Sequence, residues 1–185
     1  MTRSYHHGDL RRVLTDAALG LIAERGPTAV SLRDLARAAG VSHAAPAHHF
    51  GDKAGLFTAI ATQGQRLLAD ALAEELARGP DPRRLGVRYV RFAAEHPSYF
   101  EVMFRPDLYH REDPELVAAR ARTTDLLRTA IPGEGRDADR RMLAAWSVAH
   151  GFATLLRSGN LDRLLGGRDA ETEFGELAGL LDVLP

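Results

Sequence analysis

Residues 31–56 read SLRDLARAAGVSHAAPAHHFGDKAGL. Leu32, Leu35, Ala36 and Ala39 recur there at helical spacing, behind Ser31 and Asp34, which are spaced as a capping box. Gly40 stops that helix, and Gly40-Val41 forms a tight turn, because glycine enters left-handed backbone without a Cβ penalty. A second short helix is expected after Ser42 as its cap. Pro46 falls in its first turn, where it sacrifices at most about one helical hydrogen bond. Gly51-Asp52 breaks the chain again before a long helix opening near Lys53. Two short helices across a tight turn, with small Ala36 permitting a close crossing, make the helix-turn-helix plan, in which the later helix enters a major groove.

Upstream, Leu10, Val13, Leu14, Ala17, Ala18, Leu21 and Ile22 form one continuous apolar stripe, capped by Asp9 and ended by Gly26-Pro27. Downstream, the long helix runs to about residue 78. Gly79-Pro80-Asp81-Pro82 then stops the chain and restarts it, with Asp81 as cap and Pro82 as first helical residue. That helix ends at His96, since the next residue is Pro97. Further helices are expected over 98–104, from Asp113-Pro114 to before Pro132, over 137–158 and over 169–183. No period-two alternation persists, so no strand is expected. The reading is an all-α chain of about nine helices: a three-helix helix-turn-helix domain over 1–56 and a helical domain over 57–185.

The 185 residues are 45% hydrophobic and 26% charged, enough for a globular core. The absence of cysteine excludes disulfides, thiolate nucleophiles and cysteine-held metals. His43, His48 and His49 do not share one helix face, so no metal is expected, and nothing calls for a cofactor. Residues 142–156 are the most apolar stretch but contain His150 and fall short of the roughly 18–20 residues of a membrane span. The polar N-terminus is unlike a signal peptide, so a cytoplasmic protein is expected. Residues 1–55 carry seven Lys/Arg against five Asp/Glu and five of the eight histidines, a mildly basic face on a chain of net charge −1. No nucleophile elbow, phosphate loop or His-Glu-x-x-His occurs, so no enzyme is expected.

Ser31, Leu35, Ala36, Ala39, Gly40, Val41, Ser42, His49, Phe50, Lys53 and Leu56 match the signature of the TetR family's DNA-binding domain, and residues 10–56 resemble it. One position departs: Ala47 stands where the family usually has a tyrosine that bonds a backbone phosphate. By position, His43, Ala44 and Ala47 meet base edges, the alanines suiting thymine methyls and His43 a hydrogen bond. His48 and His49 reach phosphates. Lys53, the only lysine, sits at a helix N-terminus suited to phosphate, the alternative being a solvated charge. Ser31 and Arg33 contact the DNA backbone from the preceding helix. Arg3, His6 and His7 form either an arm toward DNA or a disordered tail.

The second half also resembles a TetR subgroup, through Trp146-x3-His150-Gly151, residues 96–104 (HPSYFEVMF) and the opening YHHGDLR. An effector cavity is expected among Tyr89, Phe92, Tyr99, Phe100, Met103, Phe104, Trp146 and His150, the alternative for each being plain core. The resemblance implies a homodimer through the helices over 137–158 and 169–183, with Phe152, Leu155, Leu156, Phe174, Leu177 and Leu181 at the interface. The expected partners are a double-stranded DNA operator and a small apolar or aromatic effector, with no membrane. The competing expectation is a helical binding module that has lost operator binding.

Overall fold

The computed structural model describes the backbone of residues 7–181 and the side chains of residues 10–180. Among these residues there are ten α-helices and no strand. They are α1 (His7–Arg25), α2 (Leu32–Ala38), α3 (Ala45–Phe50), α4 (Lys53–Leu76), α5 (Pro82–Glu95), α6 (Pro97–Met103), α7 (Pro114–Ala130), α8 (Gly135–Arg157), α9 (Asp162–Leu165) and α10 (Ala170–Leu181). The all-helical architecture is the one expected, with two additions. The segment read only as a stop contains a 3-10 turn, Pro27–Ala29, and the single turn of α9 lies where no helix was expected.

Several boundaries follow from caps. The Asp81 carboxylate accepts the Arg83 and Arg84 amides at 2.9 and 3.2 Å, with Pro82 as the first helical residue. Asp113 and Asp169 do the same for α7 and α10. Two boundaries are corrected. α1 starts at His7, ahead of the expected cap Asp9, and α6 starts on Pro97, whose ring suits a first helical position.

The contacts divide the chain into two compact units, and the division differs from a cut at residue 56. One unit holds the described residues up to Gly64 together with Ser98–Val117. Its core contains Leu14, Ala18 and Ile22 of α1, Leu35 and Ala36 of α2, and Leu56, Phe57 and Ile60 of α4. Ser98–Val117 joins it by specific bonds: the Ser98 hydroxyl donates to the Leu19 carbonyl at 3.0 Å, and the His110 amide to the Thr58 hydroxyl at 3.0 Å. A Cβ on Gly64 would lie 2.5 Å from the Met103 sulfur, so α4 and α6 press together where a side chain could not fit.

The other unit holds Gln65–Pro97 and the described residues from Ala118 onward. Its centre is α5, which buries Leu85, Tyr89, Val90, Phe92 and Ala93 and packs against α8 and α10. A Cβ on Gly86 would lie 2.7 Å from the Phe174 ring, so α10 approaches α5 at its one side-chain-free position. Thr123 donates to the Gln65 side-chain oxygen at 3.0 Å, both buried, tying α7 to α4. No described helix is long and apolar enough to cross a membrane.

Candidate nucleic-acid interface

The turn between α2 and α3 is fixed at both ends. The Ser31 hydroxyl accepts the Asp34 amide at 3.1 Å and donates to the Asp34 carboxylate at 2.6 Å, which holds that carboxyl below its usual range. Ser31 is therefore occupied as a cap, while Arg33 is exposed. At the other end the Val41 amide bonds the Ala36 carbonyl at 3.0 Å and the Gly40 amide the Arg37 carbonyl at 3.2 Å, with Gly40 at φ +65°. This 6→1 and 5→2 pair is a Schellman closure, which the glycine makes possible.

The start of α3 differs from the expectation. The helix opens at Ala45; Ser42 does not cap it but lends its carbonyl to the Ala45 amide at 3.0 Å in a turn. Ala44 occupies the cap position and has no side chain to bond. Pro46 explains the shift, since its ring and missing N–H confine it to the first turn. Pro46 and Phe50 are buried, and the Arg11 guanidinium lies 5.2 Å from the Phe50 ring centre. The opposite side is open: Ser42, His43, Ala44, Ala47 and His48 are exposed, and half-buried His49 meets His48 edge-on at 5.6 Å. His43 and Ala44 stand in the turn that leads into α3, and Ala47 and His48 on the helix itself.

Beyond α3, Gly51 turns the chain at φ +77° and α4 begins. Its N-terminus is not an open anion site. The Asp52 carboxylate accepts the Gly55 amide at 2.7 Å, which lowers its pKa, and His110 Nε2 lies 3.4 Å from it. The Lys53 ammonium donates to the Thr28 carbonyl at 2.8 Å and sits 5.6 Å from the Phe57 ring centre. That carbonyl takes one of its three donors and fixes the charge between α4 and the 3-10 turn. Arg3 and His6 lie outside the described residues, as does the His7 side chain.

In the other unit a cleft of about 720 Å³ is lined by residues of α5, α8, α10 and the end of α7. Tyr89 and Trp146 line it. His150 stands behind Tyr89, with Nδ1 at 2.9 Å from the phenol oxygen, and the Trp146 indole N–H points to that oxygen at 3.4 Å. Burial pushes the Tyr89 phenol up and the His150 imidazole down, so both are neutral near pH 7. The structure does not gather the other expected cavity residues there. Phe92 is buried with its ring 4.9 Å from His96, and Tyr99, Phe100, Met103 and Phe104 belong to α6 and its end in the first unit. The cleft is lined instead by three arginines that the sequence did not flag: Arg83, Arg140 and Arg141.

A family model for bacterial regulatory proteins of the tetR family matches residues 14–60, and one for a tetracyclin repressor-like C-terminal domain matches residues 83–179. The chain belongs to the TetR family. Over 172 residues it is 28% identical to the HTH-type transcriptional repressor AcnR of Corynebacterium glutamicum, covering 87% of this chain and 85% of that one. A protein of unknown function from Rhodococcus sp. RHA1 has a similar solved structure at TM-score 0.77 and 34% identity, covering 96% of this chain and 95% of that one. The TetR family regulator PfmR of Thermus thermophilus matches at TM-score 0.61 and 26% identity, over 91% of this chain and 96% of that one.

In this TetR-family transcriptional regulator the expected interface residues divide. Phe174 is 2% exposed and meets Phe152 at 5.2 Å within the chain, so it belongs to the subunit's own core. Its ring is drawn in because Gly86 leaves room for it. Leu156 and Leu177 are half-buried, Leu155 is 45% exposed, and the Leu181 side chain lies outside those described. The outward face of α8 carries Leu143, Ser147, Gly151 and Leu155 at four-residue spacing. Leu143 is 59% exposed, and a Cβ on Gly151 would meet no atom within 4 Å outside its own helix. Leu143 and Gly151 were not expected there; their spacing with Leu155 was the available signal.

Proposed function

We propose that the protein is a homodimeric repressor that binds a near-palindromic DNA operator and is released by a small-molecule effector. The observation that carries the reading is the exposed surface of α3 and the turn before it, with His43, Ala44, Ala47 and His48, over buried Pro46 and Phe50. Arg33, His49 and Lys53 flank it as phosphate contacts, and Ser31 and Ser42 lie at its edges. Two such helices about 34–36 Å apart read half-sites one DNA turn apart. The outward face of α8 (Leu143, Ser147, Gly151, Leu155), with Leu177 and Leu180 of α10, is the proposed pairing surface. Small residues at its centre admit a second helix closely, and exposed leucines bury apolar area on association. The effector site is the cleft beside Tyr89 and Trp146. An effector coupling of about 1–3 kcal/mol changes operator affinity roughly 5–150-fold.

The naming of a 28% identical relative as a repressor supports the sign of regulation. Trp146, His150 and Gly151 support membership of the Trp-His-Gly subgroup, and a DNA-bound role implies the cytoplasm. The test is a mobility shift with DNA from the gene's own promoter region. His49→Ala with Lys53→Ala abolishes the shift and leaves helicity and dimerisation intact. Undiminished retention by this variant defeats the assignment. A wild-type protein that shifts no promoter DNA favours a binding module without operator, for which Ala47 in place of the usual tyrosine is the specific support.

A further inference from the structure

We infer that the α5–α8 cleft takes an amphipathic organic anion, a carboxylate on an apolar body; this deepens the effector reading and rests on it for the consequence of binding. The charged residues that line the cleft are Arg83, Arg140 and Arg141, and no aspartate or glutamate is among its lining residues. Arg140 reaches Asp137 at 3.2 Å across the surface of α8. Arg83 and Arg141 form no ion pair among the described residues. Arg83 and Arg141 thus bring uncompensated positive charge to the cleft lining, and the planar guanidinium suits a carboxylate through paired N–H donors.

The arginines gather at one end. α5 and α8 run in the same direction: Tyr89 meets His150, and the Arg157 guanidinium reaches the Ala93 carbonyl at 3.5 Å. Tyr89 also meets Trp146; Arg83 precedes Tyr89 by six residues on α5, and Arg140 and Arg141 precede Trp146 by six and five on α8, so all three lie on the N-terminal side of that contact. Farther along lie Trp146 and Tyr89, whose phenol is neutral and already engaged with Trp146 and His150. The apolar walls include Leu85, Leu127, Ile131 and Ala145. Charge at one end and an apolar wall toward the other define a ligand with its head at the arginines and its body toward Trp146. The volume, about 720 Å³, falls within the range of small-molecule pockets.

Trp146 is the chain's only tryptophan and is 43% exposed, so its fluorescence reports occupancy. The probes are decanoate, decanol and decyltrimethylammonium, which share a chain length and differ in charge, each below its micelle concentration. Decanoate is expected to change Trp146 emission saturably, decanol at least about tenfold more weakly, and the cation not at all. Arg83→Gln with Arg141→Gln is expected to weaken decanoate at least about tenfold and leave decanol unchanged, with circular dichroism as the check on folding. Equal binding of decanoate and decanol, unchanged decanoate affinity in the variant, or no response to decanoate overturns the inference. An operator mobility shift on the same samples separates the two readings. Decanoate bound without loss of the operator complex defeats the effector role and leaves the anion site standing. An intact operator complex with no decanoate response defeats only the anion site.

Discussion

A Cβ built on Gly55 falls 1.9 Å from the carbonyl oxygen of Phe50. The first turn of α4 therefore passes directly against the end of α3, and a backbone atom cannot yield as a flexible side chain would. The distance from α3 to Lys53 depends on that closeness. Gly55→Ala is expected to destabilise the protein by about 1–3 kcal/mol, as overpacking generally does, and to weaken operator binding by more than tenfold. Denaturant unfolding read beside a mobility shift checks both. Wild-type stability in the variant would mean that the Phe50 carbonyl moves without penalty.

Lys53, proposed above as a phosphate contact, bonds the Thr28 carbonyl. If the charge meets DNA, Lys53→Gln lowers the slope of log affinity against log salt by about 0.9 for each phosphate that goes unneutralised. Titrations at several salt concentrations read this directly. An unchanged slope with reduced thermal stability assigns Lys53 to the turn alone.

Asp52 is held below its ordinary value of 3.8, chiefly by the Gly55 amide. A depressed folded-state pKa gives stability that is present above the unfolded value and is lost as pH falls through the folded one. Wild type is therefore expected to melt above Asp52→Asn at pH 7, with the gap closing once the pH drops below 3.8. Thermal midpoints across pH 2–7 measure the gap. A gap that persists at the acid end would show that the carboxylate's charge is not what stabilises the α4 cap.

Leu143 and Leu155 stand outward on α8, whereas Phe174 stands inward. Leu143→Arg with Leu155→Arg is expected to yield folded monomers in sedimentation. Phe174→Ala is expected to remove about 3–5 kcal/mol of stability by leaving a cavity beside Gly86. A double-arginine variant that stays dimeric would move the pairing surface off α8.

Much of the first unit was legible because its signals are local. Gly40, Ser31 and the Leu35-Ala36 pair announce a turn, a cap and a crossing within ten residues, and the structure realises each by bonds between near neighbours. Ser42 misled for the same reason: a serine before a short helix resembles a cap, but Pro46 three residues past His43 fixes where the helix can begin. Gly55 gave little signal, since its role is set by a carbonyl outside its own helix. The turn of α9 is too short for any periodicity to mark it.

The cleft was harder to read because it depends on register between helices far apart in sequence. Aromatic content suggested a pocket, but Phe100 and Phe104 pair with each other at 4.9 Å in α6 and its end, and Tyr89 finds His150 61 residues away. The arginines look like surface charge until α5 and α8 are laid side by side. The Trp-His-Gly set divides in the same way: Trp146 lines the cleft, His150 bonds the phenol behind it, and Gly151 faces outward.

With only six residues, α3 could not persist by itself. A helix this short, begun by an alanine and holding a proline, lies far below the length at which helices survive alone in water, about 12–15 residues even in favourable sequences. An isolated peptide of residues 42–52 should give a coil spectrum by circular dichroism. The shape of this exposed surface is thus borrowed from the few side chains beneath Pro46 and Phe50, and amide exchange across it should track the unfolding of its whole unit.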